Sequence, residues 1–137
     1  MDYFTKCILE DDSGNIWIGT LQSGIIIINR SGKVIRKINK IENQKIQQVG
    51  CFFSDRNKQM WISTDAGLFL YKPSSKGFEK IKTESTLSVN QDGSLIYRIV
   101  ETGKEEYICG SKKNLLRLKK NNEGIFELTK MFVNNMI

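Results

Sequence analysis

"NIWIGTLQSGIIIINRSG", residues 15–32, sets Trp17 between two isoleucines, breaks at Gly24 and then runs four isoleucines together, Ile25 to Ile28. A strand with one wet face alternates apolar and polar side chains, so four successive β-branched apolar residues require cover on both faces. Whatever supplies the second cover decides the fold. The pattern returns downstream as "QMWIST" at 59–64, with Trp61 lying 44 residues after Trp17. At the same offset "CILEDD" (7–12) aligns with "CFFSDR" (51–56), which pairs Cys7 with Cys51 and Asp11 with Asp55. "TLQSGIIIIN" (20–29) aligns with "TDAGLFLYK" (64–72), pairing Gly24 with Gly67 after one extra residue in the first turn. A third copy, "IYRIVETGKEEYICGSKKNLLRL" (96–118), carries "ICGS" where the second has "WIST", at an offset of 47.

Each copy reads as four short strands. In the second they fall near 46–53, 59–64, 68–72 and 78–83, joined by turns at "DRNK", "DAG" and "PSSKG" whose Asp, Asn, Gly and Pro residues favour tight reversals. A period of ~40–45 residues with four strands per unit is that of β-propeller blades. In a propeller each blade is sandwiched between neighbours, so its middle strands stay dry on both faces, which accounts for the isoleucine run. The fold expected is therefore all-β: about three four-stranded antiparallel blades, near 3–40, 45–84 and 94–130, forming a single partial propeller over 1–137. "KVIRKINK" (33–40) and "FEKIKTE" (78–84) interleave charge with apolar residues, as outer strands protected against edge pairing do. A sandwich with a coincidental repeat is the competing fold, and the near-constant offsets of Cys, Asp, Trp and Gly count against it. Helical solenoids lack the periodicity they would need.

At 137 residues, 39% hydrophobic and 26% charged, the composition is that of a soluble globular domain. No stretch approaches the roughly 18 apolar residues of a membrane helix, and the amino terminus does not read as an export leader, which leaves the compartment open. The chain has no histidine and three cysteines without C-x-x-C spacing, which disfavours a zinc site and removes the usual general base. No cofactor is expected. Cys7, Cys51 and Cys109 read as buried free thiols, because stacked sheets lie ~10 Å apart while a disulfide needs ~4.4–6.8 Å between Cα atoms. The net charge of +6 is spread over outer strands and the last forty residues, without the aromatic interleaving of a nucleic-acid surface. Neither nucleic acid nor direct membrane insertion is expected, while a basic face would suit acidic glycans.

The run "ILEDDSGNIWIGTLQSGIIIIN" (8–29) resembles the two-component regulator propeller repeat, an Asp-x-x-Gly hairpin followed by a Trp-Ile-Gly-Thr strand, a Gly turn and an apolar strand. "FFSDRNKQMWISTDAGLFLYK" (52–72) matches as well, whereas the third copy has Ile108 for the tryptophan and Asn114 for the glycine. The resemblance implies sensor blades of the extracytoplasmic part of hybrid two-component regulators, many of which sense oligosaccharides in gut Bacteroidetes. It implies a periplasmic location, or a cytoplasmic one if the chain is complete, and a non-catalytic segment for ligand sensing or scaffolding. Any kinase activity would belong to other parts of a parent protein. The alternatives are a protein-interaction propeller and, less favoured, a piece of a propeller lyase or hydrolase.

Asp11, Asp55, Trp17, Trp61, Gly24 and Gly67 hold structural repeat positions, and the recurrence of both indoles favours core packing over sugar stacking. Arg98 falls where the other copies have cysteine; it either points into a central channel toward an anionic ligand or is solvated after a one-residue slip. Gln22, Ser23, Asp65, Lys112 and Lys113 occupy turns between second and third strands, on the propeller face that commonly holds ligands. The acid pairs Asp11–Asp12 and Glu105–Glu106 lie at hairpin turns, where capping and solvation are the simpler roles. Closed propellers have ~4–8 blades, so three leave two faces bare, at a cost on the order of 10 kcal/mol as an upper bound. Self-association, or further blades, is the expected remedy.

Overall fold

The computed structural model describes residues 4–83 and 95–131. Residues 3, 84 and 94, given above as outer bounds of blades, lie outside them. Strands β1 (Thr5–Glu10), β2 (Ile16–Thr20), β3 (Ile25–Ile28) and β4 (Val34–Ile38) form the first antiparallel sheet, in that order. A short hairpin follows, β5 (Lys40–Ile41) and β6 (Gln44–Lys45), its turn made by Glu42 and Asn43 at positive φ. The second sheet is β7 (Val49–Ser54), β8 (Met60–Thr64), β9 (Gly67–Lys72) and β10 (Gly77–Lys80). The third is β12 (Ile96–Gly103), β13 (Glu106–Ser111), β14 (Leu115–Lys120) and β15 (Phe126–Lys130), with β11 (Lys82–Thr83) added parallel to β15. The expected all-β fold of three four-stranded blades is borne out.

Register fixes which residues share a face. The row Leu9–Trp17–Ile27 of the first sheet corresponds to Phe53–Trp61–Leu70 in the second and Val100–Ile108–Arg117 in the third. This is the leading face of each blade, turned toward the next. Trp17 packs edge-on against Phe52, Tyr71 and Phe78 of the second blade at centroid distances of 6.1, 4.7 and 6.2 Å. Trp61 meets Tyr107 and Phe126 of the third at 5.3 and 4.8 Å. Two apolar layers result, one between each pair of neighbours, with Cys51 and Cys109 in the second. All three cysteines are free; burial pushes the Cys7 thiol up to about 11 and those of Cys51 and Cys109 to about 12, so they behave as small apolar groups.

The dry middle strands belong to the sandwiched blade. Every residue of β8 and the first four of β9 are buried. In the first blade Ile25 and Ile27 join the layer facing the second blade, whereas Ile28, with Ile16 and Ile18, is only partly covered on the other side. Two strand bounds also differ from expectation. Residues 46–48 are a connector, because their backbone serves the neighbouring turns: Gly24 N donates to Gln47 O and Asp65 N to Gln48 O. Ile81 leaves β10, buries in the layer below the third blade and hands β11 to that sheet.

Candidate functional site

The turn between second and third strands is built alike in all three blades. The hydroxyl of Thr20, Thr64 or Ser111 donates to the carbonyl of Gly24, Gly67 or Asn114 at 2.8, 2.9 and 3.1 Å. The turns are thereby fixed at one end of the sheets. Connector 46–48 runs between the first two, and the Asp65 carboxylate accepts from Gln47 N at 3.1 Å. Beside this frame lies a cleft of about 310 Å³ lined by Gln22, Ser23, Ile26, Lys37, Asn39, Lys45, Ile46 and Gln47. The side chains of Gln22, Lys37, Asn39, Lys45 and Gln47 make no hydrogen bond or ion pair with the described residues, so amide and ammonium groups converge there unspent.

Of the turn residues picked out from sequence, Gln22 and Ser23 line this cleft and Asp65 anchors its connector. Lys112 and Lys113 line a separate cleft with Lys130 and Met131 in the third blade. Lys37 and Asn39 escaped notice because they read as an outer strand, and Lys45 because it reads as the first residue of the second blade; the one signal was the unassigned "IENQ", from which the inserted hairpin is built. Arg98 is exposed on the leading face of the third blade, its Nη1 donating to Tyr97 O at 3.1 Å. A register shift between Ile96 and Arg98 places Tyr97 at the bulge of that innermost strand, where Lys6 of the first blade sits 5.7 Å from its ring centroid.

At the opposite end the hairpins are held by aspartates. Asp11 caps its own turn through the amides of Ser13 and Asn15 and accepts from Trp17 Nε1 at 2.9 Å. Asp55 repeats this with Asn57, Gln59 and Trp61 Nε1 at 3.0 Å, and adds the hydroxyl of Tyr107 from the third blade at 2.5 Å. The third blade has Thr102 and Ile108 at the two places, so indole and acceptor disappear together. Its hairpin instead pairs on to Gly103 and Glu106. Next to Asp11 a second cleft of about 310 Å³ opens between Glu10, Asp12 and the second blade's Ser54, Lys58 and Lys76.

Burial works against the charged form of Asp55, yet hydrogen bonds from Tyr107, Trp61 and Gln59 outweigh it and hold the carboxyl below its usual range. Burial, then Asp55 itself, raises the Tyr107 phenol above its ordinary value. A lowered folded pKa contributes stability above the unfolded value of about 4 that is lost as pH falls through the folded one. A raised phenol pKa contributes stability below about 10 that is lost as pH rises further. The raised thiols of Cys7, Cys51 and Cys109 likewise lose their contribution as pH rises above about 8.5. Urea midpoints are thus expected to be flat between about 4 and 8.5 and to fall outside both, with Tyr107→Phe reducing the part of the fall that sets in above about 10; an unchanged limb there in that variant would show that the phenol is not responsible.

Residues 2–22 match the family model described as two component regulator propeller. No curated protein matches the chain. Among solved structures it is similar to the extracellular domains of two proposed hybrid two component systems of B. thetaiotaomicron. One is 15% identical with a TM-score of 0.68, the other 14% with 0.67, and each match covers 92% of this chain and 18% of the larger one. The extracellular domain of a proposed one component system of the same organism aligns with a TM-score of 0.71 at 14% identity, over 98% of this chain and 20% of its own. The chain thus spans about a fifth of the domains it resembles, and the likeness is one of propeller fold.

Proposed function

We propose that this chain, which carries a two component regulator propeller repeat and stacks as blades of such a propeller, is a non-catalytic recognition segment of an extracytoplasmic sensor. Its ligand would be a glycan-derived anion such as a uronate-bearing or sulfated oligosaccharide. The observation that carries this reading is the cleft between Gln22 and Lys45. Amides satisfy sugar hydroxyls in both donor and acceptor senses, and Lys37 and Lys45 supply positive charge for an acidic substituent. About 310 Å³ lies at the small end of ligand sites, a size suited to one or two sugar units rather than a long chain. Location outside the cytoplasm follows the same likeness to extracellular domains.

Calorimetric titration with acidic and neutral oligosaccharides of equal length tests it. Acidic ligands are expected to bind at least about tenfold more tightly, with affinity falling as salt rises. Lys45→Glu should remove that preference without shifting the thermal midpoint, since Lys45 is exposed. Equal binding of neutral sugars would overturn the acidic preference, undiminished preference in Lys45→Glu would mean that this cleft is not the site, and binding of neither sugar would favour a scaffold that recognises protein.

A further inference from the structure

The two joints between blades differ at one position. Tyr107 of the third blade, which donates to Asp55 Oδ2 at 2.5 Å, has Met60 as its counterpart in the second, opposite Ser54 as Tyr107 is opposite Glu101. A thioether carries no donor, so Asp11, the counterpart of Asp55, receives nothing from Met60. Asn15 stands where Gln59 reaches Asp55 with its side-chain amide, yet bonds Asp11 through its backbone alone. Among the described residues Asp11 Oδ2 therefore holds only the Trp17 indole, where Asp55 Oδ2 holds three donors. The space that a phenol fills in one joint stays open in the other, as the cleft of about 310 Å³ that has Asp11, Met60 and Tyr71 in its lining. All of its lining residues belong to the first two blades, so its walls do not depend on what adjoins the chain at either end.

Charge in this cleft is divided by wall. Asp11 and Asp12 come from the first blade's hairpin, Lys58 and Lys76 from two turns of the second. Glu10 at the rim is already paired with Arg30, whereas the side chains of Asp12, Lys58 and Lys76 make no hydrogen bond or ion pair with the described residues, and no ion pair spans the cleft. Two carboxylates facing two ammonium groups suit a ligand that carries both signs, because a simple anion or cation would meet like charge on one wall. We propose that this cleft binds a free α-amino acid as its zwitterion, the ammonium donating to Asp11 Oδ2 and Asp12 where the next joint has the Tyr107 hydroxyl, and the carboxylate meeting Lys58 and Lys76. A volume at the small end of ligand sites fits a molecule of that size. The site lies at the opposite end of the sheets from the Gln22 cleft and stands whether or not that cleft takes an acidic sugar.

A thermal-shift screen of the full chain against the standard free amino acids, followed by titration calorimetry of those that raise the midpoint, tests it. At least one is expected to bind, and its N-acetyl and carboxamide derivatives, each lacking one of the two charges, to bind at least about tenfold more weakly. Asp12→Lys and Lys76→Glu, both at exposed positions, should each weaken binding at least about tenfold while far-ultraviolet dichroism and indole emission of the unliganded chain stay as they are. Met60→Tyr, which supplies the phenol of the next joint, should fill the space and abolish binding; the two surface variants decide the matter if that substitution is not tolerated. Binding by none of the amino acids, equal binding of either derivative, undiminished binding in Asp12→Lys or Lys76→Glu, or binding retained in a folded Met60→Tyr chain would each overturn the zwitterion site.

Discussion

Asp55→Ala is expected to lower the stability of the chain by roughly 3–5 kcal/mol, a large part of the ~5–15 kcal/mol that holds an ordinary domain together. The residue is 6% exposed and one of its oxygens serves three side-chain donors: the Trp61 indole, the Gln59 amide and the Tyr107 hydroxyl. Its other oxygen takes the Asn57 and Gln59 amides and shapes the hairpin. Alanine leaves the indole N–H and the phenol O–H buried without an acceptor, and each such orphan costs about 1–3 kcal/mol. Asp11→Ala is the internal control, because Asp11 caps the same turn and the same indole but reaches no residue of the next blade; about 1–2 kcal/mol is expected there. Urea unfolding followed by tryptophan emission measures both. Equal losses would mean that the link from Asp55 to Tyr107 adds nothing to the docking of the third blade on the second.

Most of the propeller was legible because its determinants are local and periodic. Trp17 and Trp61 mark the same strand position, Gly24 and Gly67 the same turn, and a hairpin register follows from such anchors. The paired loss of aspartate and tryptophan in the third blade could also have been read, since Ile108 was recognised as a substitute and a buried indole needs an acceptor. Contacts made across blades were not legible in that way. Nothing local to Tyr107 names Asp55 as its partner, and nothing local to Arg98 says that a bulge at Tyr97 turns its side chain onto an open face. The candidate cleft divides along the same line. Gln22 and Ser23 came from turn position, while Lys37, Asn39 and Lys45 entered only because the inserted hairpin folds back beside that turn.

Gly50→Ala is expected to destabilise the chain by at least about 3 kcal/mol, and to do so through backbone rather than through lost burial. Gly50 occupies the bulge of the second blade's innermost strand, between Val49 and Cys51, where the register shifts. Lys6 and Tyr97 hold the corresponding positions in the first and third blades. A methyl group at Gly50 would stand 2.1 Å from Ile96 O and 3.1 Å from its carbonyl carbon, and 3.1 Å from the Leu95 side chain. The obstacle is main chain of the neighbouring blade, already fixed by Ile96 N donating to Ser63 Oγ at 3.1 Å, so it cannot step aside as a flexible side chain would. The second and third blades must therefore part at their inner edge, opening the layer that holds Trp61, Leu68 and Tyr107. Gly110→Ala, where an added methyl meets nothing within 4 Å, is the control and should change stability by less than about 0.5 kcal/mol. Thermal unfolding of both variants, with indole emission reporting on Trp61, separates the cases: a Gly50→Ala midpoint as high as that of Gly110→Ala would mean that the blades do not approach as closely as the innermost strands require.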